Sequence, residues 1–157
     1  MTRLILIIFV LTSKILTSQT FALTDQNFSS GQMHTIWKIW FELGNSTLIL
    51  KDDSKLSLDS IELFLVNNPD SKIEIGVHTD KRGTLKTNLA LSQTRADEIK
   101  KYLISKGIQE SRLLSKGYGQ TKPYFTKDQE ADHQRRNKCS PDDDWYIGNR
   151  RVTLTIR

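Results

Sequence analysis

Residues 72–107 of this 157-residue chain read KIEIGVHTDKRGTLKTNLALSQTRADEIKKYLISKG, and this stretch decides the fold. Apolar residues alternate with others in its first part, which predicts a strand with one buried face. The apolar positions of that strand are Ile73, Ile75 and Val77. Apolar residues then recur at helical spacing, which predicts a helix from about Asn88 to Ser105, with Gly107 as its C-terminal cap. The inward positions of that helix are Ala96, Ile99 and Leu103.

Four more elements are predicted around this pair. Alternating residues predict a first strand over 35–41, and helical spacing predicts a helix over 51–67 that Asp53 or Ser54 caps. Two later strands are predicted over 112–116 and 150–156. Because helices alternate with strands, the connections must cross over the sheet. The predicted fold class is therefore α+β, in the order β-α-β-α-β, long loop, β, with a mixed sheet whose helices pack on one face.

The N-terminal residues predict export. A positive tip, eight apolar residues (4–11) and a small residue at Ala22 are typical of a secretory signal peptide over 1–22, followed by a flexible leader over 23–34. A buried N-terminal strand is the alternative, and cleavage after Thr20 is a second choice. No cysteine directly follows the apolar run, so no lipid attachment is expected. The run is interrupted by Lys14 and is too short for a spanning helix, so no membrane-spanning segment is expected in the mature chain. Removal of two positive residues with this segment lowers the net charge from +5 to +3.

Composition argues against several classes of function. The single Cys139 excludes an intramolecular disulfide framework and a zinc site with several thiolates. The three histidines lie in separate segments without metal-ligand spacing, and the sequence has no glycine-rich phosphate loop. We therefore expect no enzyme activity, no catalytic residues, no metal and no cofactor. Mild basicity favours anionic partners, but export separates the chain from nucleic acid, so no nucleic-acid partner is expected.

Two opposite charges mark a candidate binding site. Asp80 ends the central strand, and Arg95 lies on the following helix two turns after Asn88. Asn88 and Ser92 are expected to satisfy the free N–H groups of that helix. If the turn folds back, Asp80 and Arg95 flank one hollow that suits a zwitterion with an ammonium and a carboxylate. On the residues alone, two alternatives stay open: the pair bridges itself, or Asp80 braces its own turn.

A long charged segment precedes the last strand. The thirty residues 119–148 contain Cys139, and so long a loop without structure is uncommon in a compact domain. A short helix is expected inside it, because Ser140-Pro141-Asp142 has the pattern of a helix start.

Four motifs resemble the OmpA/MotB-like peptidoglycan-binding domain family. They occur in the family's order, and the similarity runs from about Trp37 to the C-terminus. The predicted domain covers 35–157, with a charged insertion at about 119–148. The motifs are His78-Thr79-Asp80-Lys81-Arg82-Gly83, Asn88 to Ala96, Lys116-Gly117-Tyr118-Gly119 and Asn149-Arg150-Arg151-Val152. Two positions depart from the pattern: Val77 replaces a glycine, and Asn45 is expected to substitute for an acidic or amide residue after the first strand.

This resemblance implies non-covalent binding of peptidoglycan through the meso-diaminopimelate of its stem peptide. Asp80 would hold the ammonium, Arg95 the carboxylate, and Asn88 would shape the pocket. The other ligand-binding candidates are Asn45, Arg82, Asn149 and Arg151, with Arg150 as an alternative to Arg151. The expected location is the periplasm of a Gram-negative-type cell, with outer-membrane association left open. The alternative function is an envelope protein–protein adaptor that binds its partner through 119–148.

Overall fold

The computed structural model describes residues 29–42, 44–125, 129 and 148–157. Two long helices and four strands make up its regular structure, together with one short 3-10 helix. In chain order they are β1 (Met33–Ile36), α1 (Asp52–Asn67), β2 (Ile73–His78), α2 (Leu85–Ser105), the 3-10 helix Glu110–Arg112, β3 (Leu113–Gly119) and β4 (Val152–Ile156). The strand order in the sheet is β1-β4-β2-β3. β2 and β3 are parallel, whereas β4 is antiparallel to both of its neighbours, so the predicted mixed α+β fold is confirmed.

The core lies between the sheet and the two helices. Alternate residues of β2 and β4 point to it, and helix residues at the predicted spacing meet them. Its fully buried members include Ile75, Val77, Leu154, Leu58, Ile61, Ile99 and Leu103. Because the apolar stripe of each helix must be buried, both helices pack on this one face of the sheet.

The first strand is shorter than predicted and begins earlier. It covers Met33–Ile36 rather than 35–41, and backbone bonds already join residues 31–32 to Ile156. The chain leaves the sheet after Ile36, and the Trp40 N–H donates to the Ser54 hydroxyl at 3.0 Å. The alternating aromatic residues after Ile36 thus belong to a connection that is bound to α1, and not to a strand. Met33 and His34, at the end of the predicted leader, belong instead to the edge strand β1.

The helix caps differ from those predicted. Lys51 precedes α1 without a side-chain cap bond, because its ammonium group offers no acceptor to the free N–H groups of the helix. The predicted caps Asp53 and Ser54 lie inside α1, and the Ser54 hydroxyl accepts instead from the Trp40 N–H. Helix α2 starts at Leu85, three residues before the predicted Asn88, because Thr84 and Thr87 form a reciprocal capping box there. Asn88 is therefore inside the helix and is released from capping.

A close contact between α2 and β3 positions the site. A Cβ at Gly117 would lie 2.3 Å from the Gln93 backbone nitrogen, so only glycine fits there. The Ser92 hydroxyl accepts a bond of 2.8 Å from the Gly119 N–H, so Ser92 ties helix to strand and does not serve the helix start. This contact places the first turns of α2 beside the end of β2.

Some predicted features lie outside the described residues. They are the signal peptide over 1–22, Cys139 and the short helix expected at Ser140-Pro141-Asp142. Within the described part of the chain, no helix has the length and apolarity needed to cross a membrane.

Candidate functional site

The Asp80 carboxylate lies in a tight turn after β2 and is 6% exposed. Its Oδ1 accepts from the Arg82 backbone N–H at 3.0 Å. Its Oδ2 accepts from Nε and Nη2 of the same residue at 3.0 and 2.8 Å. Arg150 Nε is 3.5 Å from Oδ2. Asp80 thus braces its own turn, as one alternative expected, and also faces two guanidinium groups.

Asn88 holds this turn against helix α2. Its Nδ2 group donates to the carbonyl oxygens of Asp80 at 3.2 Å and Arg82 at 3.0 Å. It also lies 2.9 Å from Gln120 Oε1, so three acceptors share two N–H groups. Gly83 completes the turn with a φ of +92°, in the region that favours glycine. The Asn88 side chain therefore fixes the turn by binding its backbone carbonyls, and the cap of α2 is provided by Thr84.

Arg95 is the second charged group of the site and is half-buried. Its Nε donates to the Asn45 carbonyl at 3.0 Å, and its guanidinium carbon is 4.8 Å from the centre of the Phe41 ring. Burial lowers the pKa of Arg95 from its ordinary value, Arg150 lowers it further, and Asp80 opposes both. The bonds described for Asp80 go to Arg82 and those for Arg95 to Asn45, so these two charges do not bridge each other.

Asn45 reaches the site through its backbone. Its side-chain Oδ1 accepts from the Thr47 N–H at 2.8 Å, and its Nδ2 donates to Glu42 Oε2 at 3.0 Å. The side chain therefore stabilises its own turn, and this turn presents the carbonyl to Arg95. The sequence placed Asn45 near the site but did not indicate that the backbone makes the contact.

The three residues directly before β4 also lie near the site. They are Asn149, Arg150 and Arg151. Asn149 Oδ1 accepts from the Tyr124 N–H at 2.9 Å. Arg151 donates to the Lys122 carbonyl at 3.0 Å, and its guanidinium lies 5.4 Å from the Tyr124 ring centre. Arg150 is thus the arginine beside Asp80, while Arg151 and Asn149 hold the 122–124 segment. The strand alternation could not separate the two arginines, because β4 begins only at Val152.

His78 forms the buried support behind Asp80. Its ring stacks on Tyr118 at 5.0 Å between centres, and its Nε2 is 3.2 Å from the Thr153 hydroxyl. Burial, with a smaller contribution from Arg151, lowers the pKa of His78 to about 3. This histidine is therefore neutral at physiological pH. The described residues contain no cluster of three or more metal-ligating side chains that includes it or any other histidine.

The sequence profile of the OmpA family matches residues 40–138, which is more than half of the chain. The chain belongs to the OmpA family. The family predicted from the four motifs is therefore confirmed, and so is the expectation that a member of this structural and binding family is not an enzyme.

Curated relatives of this OmpA-family chain include two peptidoglycan-associated lipoproteins. The protein of Buchnera aphidicola subsp. Baizongia pistaciae is 37% identical over 82 residues, which cover 52% of this chain and 47% of that protein. The protein of Brucella melitensis biotype 1 is 30% identical over 117 residues, which cover 74% of this chain and 61% of that protein. The chain thus matches about half of the length of these relatives.

Solved structures of OmpA-like domains share the fold. The peptidoglycan-associated lipoprotein from Burkholderia pseudomallei superposes with a TM-score of 0.59 at 24% identity, over 76% of this chain and 88% of that one. The periplasmic domain of Helicobacter pylori MotB superposes with a TM-score of 0.61 at 18% identity, over 83% and 78% of the two chains. At these identities the superpositions establish the fold alone.

Proposed function

We propose that this chain binds peptidoglycan non-covalently in the periplasm, and that it does so through the diaminopimelate of the stem peptide. The names of the curated relatives, which are peptidoglycan-associated lipoproteins, support the coarser statement that the chain binds peptidoglycan. The observation that supports the finer one is that Asp80 and Arg95 are close enough to interact electrostatically, while their described hydrogen bonds go to Arg82 and Asn45 and not to each other.

The site matches a ligand that carries both signs of charge. Asp80 Oδ2 would accept the ligand ammonium, and the terminal nitrogens of Arg95 would donate to a ligand carboxylate. The Asn45 carbonyl already holds Arg95 Nε, so the guanidinium is oriented before binding. Each charge-assisted hydrogen bond of this kind contributes about 1.5–3 kcal/mol.

Co-sedimentation of the full chain with isolated sacculi tests the assignment. Asp80→Asn and Arg95→Gln should each abolish co-sedimentation while circular dichroism shows a folded protein. Asp70→Asn and Lys101→Gln are matched controls, because each removes one charge from an exposed residue outside the site. Both controls should bind like the wild type. Retained binding in both site variants would overturn the proposed pocket.

The nature of the stem residue needs a separate comparison. Sacculi with diaminopimelate in the stem should retain the chain, and sacculi with lysine in that position should retain much less, because lysine lacks the second carboxylate. Equal retention on both would refute the diaminopimelate assignment but would leave peptidoglycan binding in place.

A further inference from the structure

The side chain of Arg82 occupies Asp80 Oδ2, the atom proposed above to accept the ligand ammonium. Two of its N–H groups donate to Asp80 Oδ2, and its side chain is 46% exposed while that of Asp80 is 7% exposed. The exposed partner of such a pair can move into water at small cost, whereas the buried carboxylate cannot move. Access of a ligand cation to Asp80 Oδ2 therefore requires the Arg82 guanidinium to leave.

The turn keeps its shape without the Arg82 side chain. The backbone N–H of Arg82 holds Asp80 Oδ1, and Asn88 holds the carbonyl oxygens of both residues. Arg150 Nε, 3.5 Å from Oδ2, remains as a second positive neighbour. Departure of the guanidinium thus frees one oxygen for a new donor and leaves the Asp80 charge compensated.

Resting on the proposed function, we propose that Arg82 is an internal counter-ion that competes with the ligand ammonium for Asp80 and so limits the affinity of the site. A ligand must displace it, so the apparent dissociation constant equals the intrinsic one divided by the fraction of molecules in which Asp80 is free of the Arg82 side chain. Arg82 is thus a positioning and specificity residue: it favours ligands whose ammonium donates to Asp80 Oδ2 better than its own guanidinium does.

Removal of the competing charge tests this role. The probe is a soluble stem tripeptide that ends in diaminopimelate, titrated calorimetrically into the full chain. Arg82→Gln should bind about two- to fivefold more tightly than the wild type, the range expected from the loss of an exposed ion pair. Arg82→Lys keeps the charge but loses the two-point contact, so its affinity for the tripeptide should lie between those of the wild type and Arg82→Gln. Unchanged or weaker binding by Arg82→Gln would overturn the proposal, since a residue that contacts the ligand would lose affinity.

A second probe and a spectroscopic readout distinguish competition for Asp80 from a change in affinity that does not depend on the ligand ammonium. With the side-chain amine of the tripeptide acetylated, Arg82→Gln should give no gain over the wild type, and an equal gain would contradict competition at Asp80. In the wild type, the Arg82 Nε–H resonance should move on titration with the free-amine probe towards its position in Asp80→Asn. A resonance that stays in place would also contradict displacement.

The two proposals fail in different ways. If the wild type does not bind the tripeptide, the proposed function and the role of Arg82 are both wrong. If the wild type binds and Asp80→Asn does not, but Arg82→Gln gives no gain, only the role of Arg82 is wrong.

Discussion

The two charged groups of the site are held in different ways. Asp80 lies in a buried turn that helix α2 braces through Asn88, behind which His78 packs on Tyr118. Arg95 projects from α2 towards the connection between β1 and α1, where it rests on one carbonyl and one ring, those of Asn45 and Phe41. The negative group is thus supported by the sheet and helix core, whereas the positive group projects from α2 and is supported by a loop.

This difference matches what each charge needs. A buried carboxylate is costly unless donors surround it, so the structure around Asp80 must be fixed in advance. An arginine brings its own planar set of donors on a long side chain, so a loop contact is sufficient to orient it. We therefore expect changes on the Asp80 side to affect stability and changes on the Arg95 side to affect mainly binding.

The largest effect of the Asp80 side on the free energy of unfolding should appear at low pH. His78 has a pKa of about 3 in the folded chain against 6.5 for an exposed histidine. Between pH 6.5 and about pH 3, the unfolded chain binds a proton at His78 that the folded chain does not bind. The free energy of unfolding therefore falls as the pH decreases through this range, and the loss is complete at about pH 3. The slope approaches about 1.4 kcal/mol per pH unit, or about 2–3 kcal/mol between pH 6.5 and 4.5.

Urea unfolding at several pH values measures this slope. His78→Asn should remove that part of the pH dependence, whatever its stability at neutral pH, because asparagine does not titrate. The comparison is between slopes, so the carboxylates common to both proteins cancel. The same slope in the variant and the wild type would show that another group is responsible.

A matched pair of asparagine substitutions tests the two sides directly. Asn88→Ala removes an amide that serves two turn carbonyls, and should reduce the free energy of unfolding by about 2 kcal/mol. Asn45→Ala removes exposed side-chain bonds but keeps the carbonyl that Arg95 uses, and should cost about 0.5 kcal/mol. Thermal or urea unfolding measures both. Equal losses would mean that the two sides are braced alike.

The sequence predicts the mixed sheet, the two helices and the positions of Asp80 after β2 and Arg95 on α2, because these follow from local periodicity and from a turn between adjacent elements. The central strand and the helix face of Ala96, Ile99 and Leu103 are buried as expected. Prediction from the sequence fails where a side chain is bonded to a residue from a distant part of the chain. The hydroxyl of Ser54 bonds the Trp40 N–H rather than capping its helix, and Arg150 rather than Arg151 lies beside Asp80. Such pairings depend on how connections cross the core, which spacing along one segment does not encode.

A smaller effect on stability than that of Asn88→Ala is expected at the ring that supports Arg95. Phe41→Leu keeps an apolar side chain against the core but removes the aromatic face 4.8 Å from the guanidinium. A cation–π contact at such a half-buried site contributes about 0.5–1 kcal/mol, so the free energy of unfolding should fall by no more than that. Binding of the stem tripeptide should weaken about two- to fivefold, since Arg95 loses part of its orientation before the ligand arrives. Unfolding and calorimetric titration of the same sample give both values. A stability loss as large as that of Asn88→Ala would place Phe41 in the framework of the fold, and the loop side of the site would then be as rigid as the side built on Asp80.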